Sequence, residues 1–187
     1  MTAVPAHSLV SRRLTQTEVN ALCAKHDRLW SSRPGGARAV FAWMDLSGLD
    51  LRGKNLCDAD FTGAVMQGVK MKGSRLDHAT LFGADLQNAE LIDASMRRAD
   101  LRGACLRNAN LTGADLFEAD LREGALAAAD RKYGYRRLET RALAGEVQGA
   151  ILAGANLERT RLSGVMAVRA DFSDAIMKDA KLIRANL

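Results

Sequence analysis

The chain has 187 residues, 48% of them hydrophobic, and 27 Lys and Arg against 22 Asp and Glu give it a formal net charge of +5. That length suits one elongated domain; the chain holds no apolar run of the roughly 18 residues that a spanning helix needs, so no membrane partner is expected, and the opening MTAVPAHSLVSRR lacks a signal peptide's apolar core. Cys23, Cys57 and Cys105 stand too far apart for a zinc spacing or a disulfide framework, which fits a reducing cytoplasm.

The first element is a helix. Thr15 followed by Glu18 reads as a capping box, with Leu14 and Val19 as a hydrophobic staple. Val19, Leu22, Cys23, His26, Leu29 and Trp30 recur at helical spacing, and Pro34-Gly35-Gly36 is expected to end the run. Residues 1–38 therefore read as a helical cap. It is expected to plug the end of the next element, a docking helix for a partner being the alternative.

From Phe41 to Leu126 every fifth residue is Leu, Met or Phe, 18 in succession, and 12 of the 18 positions two residues earlier are Ala. A helix turns about 100° per residue, so five residues carry a side chain roughly 140° around and the row could not share a face. A flat strand alternates with period two. A period of five works only if a short extended piece meets a corner and repeats. Within each piece the Ala and the Leu point inward together, and four pieces close a square coil. Stacked coils then sit about 4.8 Å apart. Corner chemistry agrees. Asp or Asn precedes the inward residue nine times, as at Asp60 and Asp100, and Gly follows it by two eight times, as at Gly63 and Gly103.

Runs such as Ala99-Asp100-Leu101-Arg102-Gly103 and Ala114-Asp115-Leu116-Phe117-Glu118 resemble the A-(D/N)-L-x-x unit of the pentapeptide repeat family. The resemblance covers residues 39–130 and 145–187. It implies an all-β solenoid, a right-handed quadrilateral β-helix, here with an N-terminal α-helical cap and one loop insertion. The handedness comes from the resemblance alone, as does a bacterial origin.

The row slips between Leu126 and Val147, whose separation is four repeats plus one residue. The intervening stretch holds Arg131, Lys132, Tyr133, Tyr135, Arg136, Arg137 and Arg141, which a narrow core does not admit. Residues 131–144 are expected to leave the tube as a basic loop. Loops on rigid scaffolds often carry function, and tyrosines among cations suit phosphates, acidic protein surfaces or exposed bases. These seven residues are the candidate partner contacts; a solvated insertion is the other reading. The second block, 145–187, resumes the row at Val147 and runs to Leu187. Met177, Leu182 and Leu187 point inward there, flanked by Ile176 and Ile183, with no helix following to cover them. The end is expected to be an interface between two copies, or a cut through a longer solenoid. Lys54 occupies an inward place where Ala is usual, and its stem is expected to bend to the rim, a locally irregular first coil being the other reading.

No catalytic constellation emerges. His7, His26 and His78 are scattered, the glycines follow the corner period, and no cofactor or metal is implied. The charge is uneven: +4 over residues 1–43, −3 over 44–126, +2 over 127–149 and +2 over 150–187. The expected role is a non-enzymatic rigid scaffold for a protein partner. The resemblance also implies an alternative, since the family includes proteins that protect DNA gyrase, a type II topoisomerase, by imitating duplex DNA. Columns drawn through every fourth unit do not favour it: Asp50, Lys70, Glu90 and Asn110 mix their signs, and Asp100 and Asp120 have Arg102 and Arg122 beside them. Direct nucleic-acid binding by the basic segments remains a third reading.

Overall fold

The computed structural model describes residues 12–129 and 138–187. In chain order these form β1 (Arg12–Arg13), α1 (Gln16–Trp30), β2 (Met44–Asp45), a long run of single bridges, and two strands, β3 (Gly124–Ala129) and β4 (Leu138–Leu143).

The five-residue period becomes a four-sided coil. Val40 pairs with Asp60, Asp45 with Val65, Asp50 with Lys70 and Asn55 with Arg75, always in parallel and always one full coil further on. These four ladders define a first, second, third and fourth side. Each rung joins the coils on either side of it: Asp100 N–H donates to the Ala79 carbonyl at 3.0 Å, and the Asp120 carbonyl accepts from Leu101 N–H at 2.8 Å. The bend closes when Ala104 N–H donates to the Leu101 carbonyl at 2.9 Å. Backbone polar groups are thus satisfied around an apolar interior, as burial requires, and the two hydroxyls buried in the inward phase, Ser74 and Thr160, donate to the Met71 and Leu116 carbonyls. The inward row is sealed from Phe41 to Leu121, with Phe41 and Phe61 stacked 4.9 Å apart, and Ala fills the second phase because little space remains beside Leu.

From Phe41 to Leu116 and again from Val147 to Leu182, the second residue after each inward one turns the corner with positive φ, a region that favours glycine. Gly63 is required twice over: its φ is 60°, and a Cβ there would lie 2.5 Å from the Trp43 ring.

The cap forms as its sequence predicts at the start. Thr15 Oγ1 accepts from Glu18 N–H at 3.3 Å, and Glu18 Oε2 accepts from Thr15 N–H at 2.8 Å. Val19, Cys23 and His26 are buried. The apolar stripe stops a turn early, however: Leu29 is 47% and Trp30 48% exposed. The helix also ends before Pro34-Gly35-Gly36. Ser31 caps it, its hydroxyl donating to the Asp27 carbonyl at 2.7 Å, and Gly36 then lies too close to the Leu29 backbone to carry a Cβ.

The cap covers the first coil's open edge by imitation. Leu14 N–H donates to the Asp45 carbonyl at 2.9 Å. The Gln16 amide accepts from Asp50 N–H and donates to the Asp50 carbonyl, both at 2.8 Å, doing what a neighbouring rung would do. His26 Nδ1 accepts from Ala39 N–H at 3.1 Å. Lys54 is half-buried and, with Gln16, Asn20 and Asp50, lines a cleft of about 580 Å³ at this junction. Burial pushes the Cys23 thiol up to about 11, against the opposing charge of Lys54.

One expectation fails at Leu126. It does not continue the inward row but stands in β3 opposite Arg141, within an antiparallel pair running from Gly124↔Leu143 to Ala129↔Leu138. A strand hydrogen-bonded antiparallel to its neighbour has left the parallel ladder, so the excursion expected over 131–144 begins at Gly124. The ladder shows how much chain is inserted. Cys105 pairs with Glu146 at an offset of 41, where Asp85 pairs with Cys105 a single coil on, and the hairpin supplies the excess. Val147, buried to 1%, takes the inward place expected of Leu126.

Candidate interaction surfaces

The hairpin of β3 and β4 leaves the tube at the corner between the first and second sides. Its roots are held by close packing. A Cβ on Gly124 would meet the Phe82 ring at 3.0 Å and the Arg102 carbonyl at 3.1 Å, and one on Gly145 would run into the Leu121 carbonyl. Arg102 in turn lies over the Phe82 ring, 5.1 Å from its centre. Of the sequence candidates, Arg141 stands in β4; Arg131, Lys132, Tyr133, Tyr135, Arg136 and Arg137 lie outside the described residues.

Beside the hairpin the first side carries clasped charges. Arg102 donates Nε and Nη2 to Asp100 at 2.8 and 2.7 Å, and Arg122 does the same to Asp120 at 2.9 and 2.7 Å. Both pairs span only two residues, so the Asx that shapes the bend also anchors the arginine. Arg161 stacks below and reaches Asp120 at 3.6 Å. Burial works to raise the Asp120 pKa, but the hydrogen bonds from Arg122 and the charges of Arg122 and Arg161 outweigh it and hold the carboxyl below its usual range.

The corner between the fourth and first sides is built differently. Asp58, His78, Arg98, Glu118, Arg159 and Asp179 occupy its positive-φ place in successive coils, with no glycine among them. Glu118 sits between two cations, 2.7 Å from Arg98 and 3.3 Å from Arg159, and the hydrogen bond from Arg98, then that from Arg159, lower its pKa. Phe117 lies between Arg97 and Arg159, whose guanidinium carbons are 4.5 and 5.7 Å from its ring centre. Cation–π contact of this kind holds an arginine in one orientation. Sequence columns drawn at the regular step missed that Arg159 and Arg161 stack beneath Glu118 and Asp120. The signal was the slip between Leu126 and Val147, which converts the offset to 41 across the hairpin.

No side carries an unbroken column of carboxylates among the described residues. The first runs Asp100, Asp120, Arg161, Lys181; the second Asp85, Cys105, Glu146, Met166. At the C-terminal coil Ile176 is 55%, Ile183 70% and Leu187 62% exposed, while Met177 and Leu182 are half-buried. Among the described residues no group of three or more His, Cys, Asp or Glu is placed to hold a metal ion, and no helix is long and apolar enough to cross a membrane.

No curated protein matches the chain in sequence. Solved structures with a similar coil include a pentapeptide repeat protein from the thylakoid lumen of Arabidopsis thaliana, 29% identical over 64% of this chain and 68% of that one, with a TM-score of 0.49. HetL, a pentapeptide repeat protein involved in heterocyst differentiation regulation in the cyanobacterium Nostoc sp. strain PCC 7120, is 29% identical over 78% and 68%, with a TM-score of 0.37. A trypsin-treated form of QnrB1, a plasmid-mediated fluoroquinolone resistance protein, is 17% identical over 95% and 70%, at 0.48. At these scores none carries information about what this chain binds. The model of pentapeptide repeats is decisive by contrast: it matches in eight copies over residues 39–77, 74–113, 94–130 and 147–182, leaving unmatched 131–146, which contains β4 but not β3. With its period, its ladders and that match in agreement, the chain belongs to the pentapeptide repeat family.

Proposed function

We propose that the protein is a non-enzymatic, rigid scaffold that holds a protein partner through its hairpin. The observation that carries this reading is the register across the insertion. Cys105↔Glu146, Asn110↔Ile151 and Asp115↔Asn156 continue the ladders as if the hairpin were absent, so the hairpin is an arm hung on an uninterrupted tube. In a solenoid each coil depends only on its neighbours, which lets such an arm vary without unfolding its support. On this reading Arg131, Lys132, Tyr133, Tyr135, Arg136, Arg137 and Arg141 make the contact, the coil winds right-handed as its family resemblance implies, and the protein works in the cytoplasm. The alternative, a topoisomerase-binding imitation of DNA, needs a continuous acidic face, and the arginine clasps on Asp100 and Asp120 speak against it.

Deleting residues 124–144 joins Glu123 to Gly145 and restores a regular unit, Gly145-Glu146-Val147, after Leu121. In pull-downs from native-cell extract the parent is expected to retain a protein that the deletion loses; equal retention by both would reduce the hairpin to a solvated insertion. The exposed Ile176, Ile183 and Leu187, with Met177 and Leu182, are proposed as a contact between two copies, and a monomeric mass by light scattering at about tens of micromolar would refute a tight dimer.

A further inference from the structure

The corner between the fourth and first sides is a groove of about 710 Å³ whose lining is charged except for Ala99. Arg98, Arg102, Arg122, Arg159, Arg161 and Lys181 face Asp100, Glu118, Asp120 and Asp179, so six cations meet four carboxylates and two positive charges are left over. Their location follows from sharing. Arg98 and Arg159 both use Glu118, with Glu158 outside the lining at a looser 3.9 Å from Arg159, and Arg122 and Arg161 both use Asp120. Each carboxylate has one negative charge to offer two guanidinium groups. The arginines are also preset. Arg122 is gripped through Nε and Nη2, leaving Nη1 out of the grip, and Arg159 rests against Phe117. Their side chains keep 43% and 54% exposure, so these groups are held and accessible at once. The corner further holds Arg98, Glu118 and Arg159 at φ of 56°, 57° and 56°, a region that disfavours any residue with a Cβ and that the other three corners fill with glycine in many of their coils. Charged side chains are kept there despite the backbone.

We infer that this groove binds a short acidic segment of a protein partner, presenting two carboxylates to the Arg98–Arg159 and Arg122–Arg161 pairs. Arginine forks suit carboxylates because the planar donors match both oxygens. Glu118 and Asp120 lie two residues apart in one coil, so the pairs sit side by side, one at the bend and one on the first side, and an extended chain reaches both. A nucleic-acid backbone fits less well, since its unbroken phosphates would lie against Asp100, Glu118 and Asp120 as well as the arginines. The inference rests on the scaffold reading for the partner's class, but not on the hairpin.

The test uses the full chain and a fluorescein-labelled hexaglutamate peptide, read by anisotropy at about 150 mM salt, where long-range attraction is screened. The double variant Arg159→Gln/Arg161→Gln removes the excess of two while Arg98 and Arg122 still neutralise Glu118 and Asp120. It is expected to weaken binding about tenfold or more, with an unchanged thermal melt. Lys70→Gln/Lys72→Gln, which removes two cations on the third side, is expected to bind like the parent. Equal binding by the parent and the arginine variant, equal weakening by the lysine variant, or a thymidine oligonucleotide binding more tightly than hexaglutamate would each overturn the inference. Because the peptide reads the groove alone, such a failure leaves the pull-down of the scaffold reading standing.

Discussion

Phe41, Leu46 and Leu51 at one end of the tube are fully buried, whereas Phe172, Met177 and Leu182, in the same inward phase at the other, are only half-buried. The residues are equivalent in pattern, and the difference lies in the layer above them. Leu14, Val19 and Cys23 pack into the same core at the first end, with Gln16 and His26 closing the backbone edge. Inward orientation is thus a property of the repeat, but burial is a property of stacking, and each coil's core is completed by its neighbour.

The comparison breaks most plainly at leucine. Leu46→Ala is expected to cost about 2–5 kcal/mol, the range for a sealed core with a residual cavity. Leu182→Ala, half solvated already, is expected to cost about 1 kcal/mol. Urea melts of both variants check this, and equal losses would mean that burial does not depend on the covering layer. Gln16→Ala comes next. It leaves Asp50 N–H and C=O without their imitation rung, and a loss of about 1–3 kcal/mol is expected in the same melts. A loss no larger than that of Asn20→Ala would show that water replaces the amide.

Much of this was legible because a five-residue period assigns every position a role independently of its neighbours. Thr15 and Glu18 announced the capping box, and the Ala and Leu rows announced the core. Leu126 was misread because it satisfies the period by coincidence: one residue in β3 falls in phase, and a pattern that counts only residue type does not register a change of pairing partner. The groove was hidden for a related reason. Arg159 and Glu118 are neighbours only at an offset of 41, which needs the insertion length before the column can be drawn. Lys54, set in an inward place where Ala is usual, lines the cap cleft.

A smaller effect sharpens the contrast between the clasped first side and the unclasped end. Glu118 and Asp120 have lowered pKa values in the fold, so their contribution is present above the unfolded values, about 4 for ordinary carboxylates, and is lost as pH falls through the folded ones. The melting temperature is expected to hold from neutral pH to about 5 and then to fall. In Glu118→Gln/Asp120→Asn that acid-side decline should be shallower, and an identical decline would remove these carboxylates from the account.

The hairpin deletion asks most directly whether the tube is continuous beneath its arm. Without residues 124–144 the ladder step at Cys105 returns to a single coil, and closing a shorter loop adds a little stability. Thermal melting of the deletion by circular dichroism is expected to stay cooperative, within about 4 °C of the parent. A broad transition, or a midpoint lower by about 10 °C or more, would show that the hairpin holds the two blocks together and that the tube is not the independent scaffold described here.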